Sequence, residues 1–179
     1  MNTISQRNMN FIFQIRRVFL IAAVGFFVMT GLGYGQDIEQ GQIEATGQVG
    51  LVSGIGTHGA FGGSVGAAMD KHFLAFVEFL FIPLGVGARS LNFDGGVQYQ
   101  FRKQGSTVPY AGGGLGLLHS SASFDGLNLG SSNDFYVNFG GGVRYYMTEQ
   151  WGFRPELTIF AGPNTFVRIG AGVFYRFGK

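Results

Sequence analysis

From Gln42 to Phe177 the chain keeps a two-residue rhythm. Near its end Val167, Ile169, Ala171, Val173, Tyr175 and Phe177 fall on one parity, and Arg168, Gly170, Gly172 and Arg176 on the other. Successive side chains of an extended strand point to opposite faces, so this stretch predicts a strand with one apolar face and one small or polar face. Trp151, Phe153, Pro155, Leu157 and Ile159 against Gly152, Arg154, Glu156 and Thr158 repeat the pattern. So do Phe135, Val137, Phe139, Val143 and Tyr145 against Asp134, Asn138, Gly140, Gly142 and Arg144. No stretch sustains the 3.6-residue period of an amphipathic helix. The rhythm divides into eight strands, over 42–53, 59–69, 72–82, 90–102, 108–121, 134–147, 150–160 and 165–177, with turn formers between them. It is faintest in the first, second and fifth, where Gly and Ala fill much of both faces.

Alternation does not say which face is outside; volume does. A closed eight-stranded sheet has an interior just wide enough for side chains, and the apolar face carries too much Phe, Tyr, Trp, Leu and Ile to fit there. The other face, mostly glycine and small polar residues, suits a narrow lumen. Glu44, Glu78, Asp94, Arg144, Arg154, Glu156, Arg168 and Arg176 share its parity and are expected to pair with one another as a structural network. The expectation is an all-β, eight-stranded antiparallel up-and-down transmembrane β-barrel over 36–179, a form that satisfies every backbone group without water. The alternative of the opposite sense is a soluble periplasmic lipocalin-like carrier with the apolar face inward. Short polar connections at Asp70-Lys71, 103–107 and Thr148-Glu149 mark one end. At the other lie 54–58, 83–89, 122–133 and 161–164, of which only the third is long. Tyr99, Phe101, Tyr145, Trp151, Phe153, Tyr175 and Phe177 gather near the short-turn rim as a candidate interfacial girdle.

Composition agrees with this and removes other classes. The 179 residues are 46% hydrophobic, 16% aromatic and only 12% charged, against roughly 25% charged in an ordinary soluble domain. With no cysteine, disulfide frameworks, cysteine zinc sites and thiol catalysis are excluded together. Arg7, Arg16 and Arg17 precede an apolar run over 18–29 and small residues ending at Gly35, the grammar of a secretory signal peptide over 1–35; Met9 is an alternative start to Met1. The formal charge of +2 belongs to that leader: without its three arginines, nine basic residues face ten acidic ones. No basic run remains to neutralise phosphates, so nucleic acid is not an expected partner.

Three segments carry a resemblance: Val108-Pro109-Tyr110-Ala111-Gly112-Gly113-Gly114-Leu115-Gly116, then Asn138-Phe139-Gly140-Gly141-Gly142-Val143-Arg144-Tyr145-Tyr146, then Gly170-Ala171-Gly172-Val173-Phe174-Tyr175-Arg176-Phe177. Together, over about 42–179, they resemble the small outer-membrane β-barrel family of Gram-negative bacteria, the porin-like group that includes outer-membrane protein A and X type barrels. The resemblance implies location in the outer membrane, with outer-membrane lipid and lipopolysaccharide as surroundings. It also implies periplasmic chaperones during transit and the barrel-assembly machinery at insertion. Gly172, Tyr175 and Phe177 match the family's C-terminal assembly signal, although Gly178 and Lys179 follow here.

Candidate chemistry is sparse. Gly54-Ile55-Gly56-Thr57-His58-Gly59 spells G-x-G-x-x-G, but the pattern binds a dinucleotide only where a helix follows, and 60–69 reads as strand. No cofactor is expected. His58, His72 and His119 are too dispersed for a metal site. His119 and Ser121 share one face of the fifth strand, and a serine beside a histidine is the logic of acyl hydrolysis. Some eight-stranded outer-membrane barrels that deacylate lipid A resemble this, but with the pair in the seventh strand, where this chain has neither residue; Asp125 or Asp134 would have to complete a triad. The residues therefore point first to a non-enzymatic barrel with a structural or surface-interaction role in the cell envelope. A lipid-modifying hydrolase using His119 and Ser121 is the alternative from another class.

Overall fold

Each alternating segment becomes a strand: β1 (Ile43–Ser53), β2 (Thr57–Ala68), β3 (Phe73–Gly85), β4 (Ala88–Gln100), β5 (Thr107–Phe124), β6 (Leu127–Tyr146), β7 (Trp151–Ala161) and β8 (Phe166–Phe177). The computed structural model describes residues 39–178 apart from 55, 86, 125 and 126, so the leader read over 1–35 lies outside the described residues. The strands pair antiparallel in sequence order, and β8 returns to β1 to close the barrel. Closure leaves the sheet no long open edge, which is how strands can cross an apolar medium with their backbone groups satisfied.

One feature of the register carries the alternation around the whole barrel. Apart from shifts near the tips of the β3–β4 and β5–β6 hairpins, cross-strand partners share parity: Glu44 faces Gly66 on one side and Arg176 on the other, and Phe93 faces Phe79 and Leu117. Even-numbered residues therefore point inward on all eight strands and odd-numbered residues outward. The large exposed hydrophobics, among them Leu51, Phe61, Val77, Phe93, Leu115, Phe135, Val137, Ile169 and Val173, are all odd. The buried charged residues, such as Glu44, Asp94, Arg144 and Arg154, are all even. The carrier alternative required the opposite sense and is corrected here, because the apolar face is the outer face.

Two further expectations change. The third connection of the long-loop end, read as a loop over 122–133, is largely strand: β5 runs to Phe124 and β6 starts at Leu127. Ser120↔Ser132 and Ser121↔Ser131 remain in register, and a bulge between Ala122 and Ser123 then shifts the pairing. Gly130, with φ of 134°, takes a backbone conformation open to glycine beside that bulge. β7 pairs with β6 only from Val137 down, so this hairpin rises beyond its neighbour. Nor is the inner face only glycine and small polar residues. Leu74, Leu80, Phe160 and Phe174 are fully buried there, and at the long-loop end Val52, Ala60 and Ile82 pack with Leu84, Leu118 and Phe166 as an apolar plug.

At the short-turn rim the outward aromatics interlock. Phe73 meets Tyr99 edge-on at 5.2 Å between centroids, Tyr99 meets Phe101 at 5.1 Å, and Tyr175 meets Phe177 at 4.8 Å. His72 stacks on Tyr99 at 5.6 Å. Tyr99 and Tyr175, each an apolar ring with one polar edge, suit a boundary between lipid and water.

Candidate functional site

The lumen holds the densest chemistry. Glu44 on β1 receives three guanidinium groups: Arg144 Nη2 at 2.9 Å, Arg154 Nη1 at 3.3 Å and Arg176 Nε at 3.2 Å. β1 lies between β2 and β8, yet Arg144 and Arg154 reach it from β6 and β7 across the barrel. Glu156 carries the network upward. Its Oε2 lies 3.4 Å from Arg154 Nε and accepts the Tyr110 hydroxyl at 2.8 Å, and its Oε1 accepts Arg168 Nη2 at 2.5 Å. Arg168 in turn pairs with Glu78. Seven charged side chains thus form one chain of ion pairs, Glu78–Arg168–Glu156–Arg154–Glu44 with Arg144 and Arg176 on the last carboxylate. Asp94 stands beside it, accepting Asn92 Nδ2 and the Tyr136 hydroxyl, each at 3.0 Å.

Four arginines share the lumen with four carboxyl groups, and three of those carboxylates pair directly with guanidinium groups. An unpaired charge removed from water costs several kcal/mol, whereas a paired and hydrogen-bonded one is tolerated. Neutral groups extend the coordination: Arg144 Nη2 donates to Gln98 Oε1 at 2.6 Å, Arg154 Nη2 to Ser64 Oγ at 3.3 Å, and Arg176 Nη2 to Gln100 Oε1 at 3.4 Å. The Arg144 guanidinium lies 4.3 Å from the centroid of the Tyr110 ring, and that of Arg176 lies 4.8 Å from Tyr146.

Asn92, Gln98 and Gln100 share the polar parity of the fourth strand; Tyr110, Tyr136 and Ser64 were not singled out as lumen residues in the sequence, but the tyrosines have a signature. Each inward tyrosine faces a glycine directly across the ladder, Tyr110 with Gly142, Tyr136 with Gly116 and Tyr146 with Gly152. The pairing is steric. A Cβ on Gly116 would lie 2.3 Å from the Tyr136 hydroxyl, and one on Gly142 would lie 2.9 Å from the Tyr110 hydroxyl. A glycine opposite an aromatic of lumen parity marks a ring lying across the neighbouring strand.

What remains open is small. The central void, bordered by Glu78, Asp94, Tyr110, Asn138 and Arg168, is about 30 Å³, enough for about one water molecule. A vestibule of about 580 Å³ opens at the short-turn end over Lys103, Tyr146 and Arg176.

The other sequence candidates are dispersed. His119 and Ser121 both lie on the outer wall near the rim, with no hydrogen bond between them among the described residues; His119 Nδ1–H donates instead to Asn133 Oδ1 at 2.7 Å. Asp134 lies on the inner parity opposite Leu118, away from that wall, and Asp125 is outside the described residues. The described residues therefore do not assemble a triad around Ser121. Gly54, Gly56 and Gly59 belong to the β1–β2 hairpin, with strand rather than helix after them. No group of three histidine or acidic residues is placed to hold a metal ion among the described residues. Of the assembly-signal positions, Gly172 faces the lumen, whereas Tyr175 and Phe177 face outward and pair with Ala45 and Ile43 at the seam where β8 meets β1.

The sequence matches no protein-family model and no curated protein. Solved structures do match in fold. The N-terminal β-barrel domain of Pseudomonas aeruginosa OprF aligns with a TM-score of 0.65 at 20% identity, over 78% of this chain and 100% of that one. Neisserial surface protein A aligns with a TM-score of 0.65 at 16% identity, over 76% and 96%. Ail, the attachment invasion locus protein of Yersinia pestis, aligns with a TM-score of 0.59 at 14% identity, over 78% and 100%. The chain therefore has the fold of the small eight-stranded outer-membrane barrels.

Proposed function

We propose that this chain is a non-enzymatic barrel of the Gram-negative outer membrane, with a structural or surface-contact role in the envelope. In this reading the segment over 1–35 directs export, periplasmic chaperones carry the chain in transit, and the barrel-assembly machinery inserts it using Gly172, Tyr175 and Phe177. The observation that carries the reading is the division of the wall: apolar side chains outward all round, and an ion-paired network with little void inward. An apolar outer wall is stable only against something apolar, and a lumen filled across its middle leaves no continuous path for a solute. The engagement of His119 with Asn133 and the inward position of Asp134 favour a role without catalysis over lipid hydrolysis.

The test is electrophoretic mobility of the outer-membrane fraction with and without boiling. A folded barrel resists detergent, so the expected result is a heat-dependent shift confined to that fraction. Recovery of the protein in the soluble periplasm, with no shift, would overturn the reading. Release of fatty acid from lipopolysaccharide by the wild-type protein, abolished in Ser121→Ala, would overturn its non-enzymatic part.

A further inference from the structure

The ion-paired network of the lumen is not neutral. Four guanidinium groups, on Arg144, Arg154, Arg168 and Arg176, share three carboxylates, on Glu44, Glu78 and Glu156. Asp94, the fourth carboxyl, stands opposite Glu78 on the β3–β4 ladder, at the other end of the chain of pairs, and its hydrogen bonds are to Asn92 and Tyr136. The surplus therefore lies at the short-turn end, where Glu44 alone meets three arginines. Lys103, in the connection after β4, adds a further cation. Its Nζ lies 5.4 Å from the centroid of the Tyr146 ring, the same ring that the Arg176 guanidinium approaches at 4.8 Å. No carboxylate oxygen lies within 4 Å of Lys103 Nζ among the described residues.

Hydrogen-bond donors are in surplus at the same level. Gln100 uses Oε1 to accept from Arg176 Nη2, and its buried Nε2 has no partner among the described residues. Arg144 Nη1 and the Tyr146 hydroxyl are likewise buried and unpartnered. Arg176 ties the three together: it shares Glu44 with Arg144, donates to Gln100 and lies over the Tyr146 ring. Directly against this cluster opens the vestibule of about 580 Å³, lined by Lys103, Tyr146 and Arg176. Water satisfies a donor but carries no charge, and a buried charge without a counter-charge is costly. An anion meets both needs. Glu39 and Glu149, both exposed, also line the vestibule; they repel a bulky polyanion more than a small ion of single charge.

We propose that the short-turn end of the lumen is an anion site, which takes one small monovalent inorganic anion of chloride size between Arg144, Arg176, Gln100, Tyr146 and Lys103. The ion enters through the vestibule and offsets the surplus positive charge around Glu44. Its contacts to guanidinium and ammonium groups are charge-assisted, and so stronger than neutral hydrogen bonds.

The full chain, folded in detergent, is to be melted while sodium chloride replaces sodium gluconate at constant ionic strength, and chloride binding is read from chloride NMR line broadening. The expected result is a thermal midpoint that rises with chloride and then levels off, as binding of one ion to the folded state requires. Bromide should substitute for chloride, and gluconate should not. Lys103→Gln should weaken chloride binding about tenfold. Gln100→Glu places a carboxylate among the unpartnered donors, so it should fold without chloride and lose both the dependence and the broadening. Arg89→Gln, at the opposite end, should leave both unchanged. Equal stabilisation by gluconate and chloride, or full chloride dependence in Gln100→Glu, would overturn the proposal. The site needs only a closed lumen and goes beyond the envelope reading. The heat shift is therefore recorded first: its loss in the wild type strikes the barrel itself, whereas a retained shift indifferent to chloride strikes only this site.

Discussion

The two ends of the lumen are filled by opposite means. Toward the short turns, Glu44 gathers Arg144, Arg154 and Arg176, and each guanidinium also reaches a second oxygen. Toward the long-loop end Val52, Ala60 and Ile82 close the barrel with Leu84, Leu118 and Phe166. Both exclude water, but they respond differently to change. An apolar plug loses stability in proportion to the atoms removed. A buried ionic network loses far more when one partner goes, because the groups left behind keep their charge without compensation. The charged half is thus the more specific part of the lumen and the less tolerant.

The largest effect is expected from Glu44→Gln. It leaves Arg144, Arg154 and Arg176 facing one another with no carboxylate at the centre. The expected cost is about 3–5 kcal/mol, as for removal of one partner from a buried pair, read as a shift in the urea midpoint of the barrel in lipid. A cost below that of a single core truncation would mean that water already solvates the network. On the outer wall, Val137→Arg places a cation at mid-belt and should cost about 2–4 kcal/mol in a bilayer. The same variant should cost little in a polar detergent; equal cost in both would count against a lipid-facing wall. Ile82→Ala, at the plug, should cost about 2–3 kcal/mol through lost burial and the cavity left behind. It should also leave the mobility of the folded band unchanged, since the network below is untouched.

How far the molecule was legible follows from the same contrast. The alternation was readable because each wall residue meets one of two very different media, so Val173 and Arg168 differ in kind as well as in position. Even the charged set could be picked out, since a narrow lumen has few places where Arg144 or Glu156 can sit. The tip of the β5–β6 hairpin was not readable. Ser120, Ser121, Ser123, Ser131, Ser132 and Asn133 face water or the rim on either parity, so no burial forces an alternation and the composition resembles a loop. Pairing carried on from the barrel supplies the order instead. Tyr110 and Tyr136 were missed for another reason: their place depends on an absent side chain across the ladder, at Gly142 and Gly116, which is visible only once the register is known.

The smallest effect concerns a turn outside the apolar belt. Asp70 accepts backbone N–H groups from His72 and Phe73, both at 2.7 Å. These bonds, that from His72 foremost, favour the ionised carboxyl and hold it below its ordinary range. A carboxyl whose folded value is depressed contributes stability above its unfolded value and loses it as pH falls through the folded one. The β2–β3 turn should therefore loosen on acidification below the usual carboxylate range, while the lumen stays closed. Hydrogen exchange at the His72 and Phe73 amides reads this directly: protection should fall with acid in the wild type and stay nearly flat in Asp70→Asn, which keeps an acceptor but has no charge to lose. If the two proteins lose protection in parallel, acid is opening the barrel itself, and the turn is coupled to the ionic half of the lumen rather than independent of it.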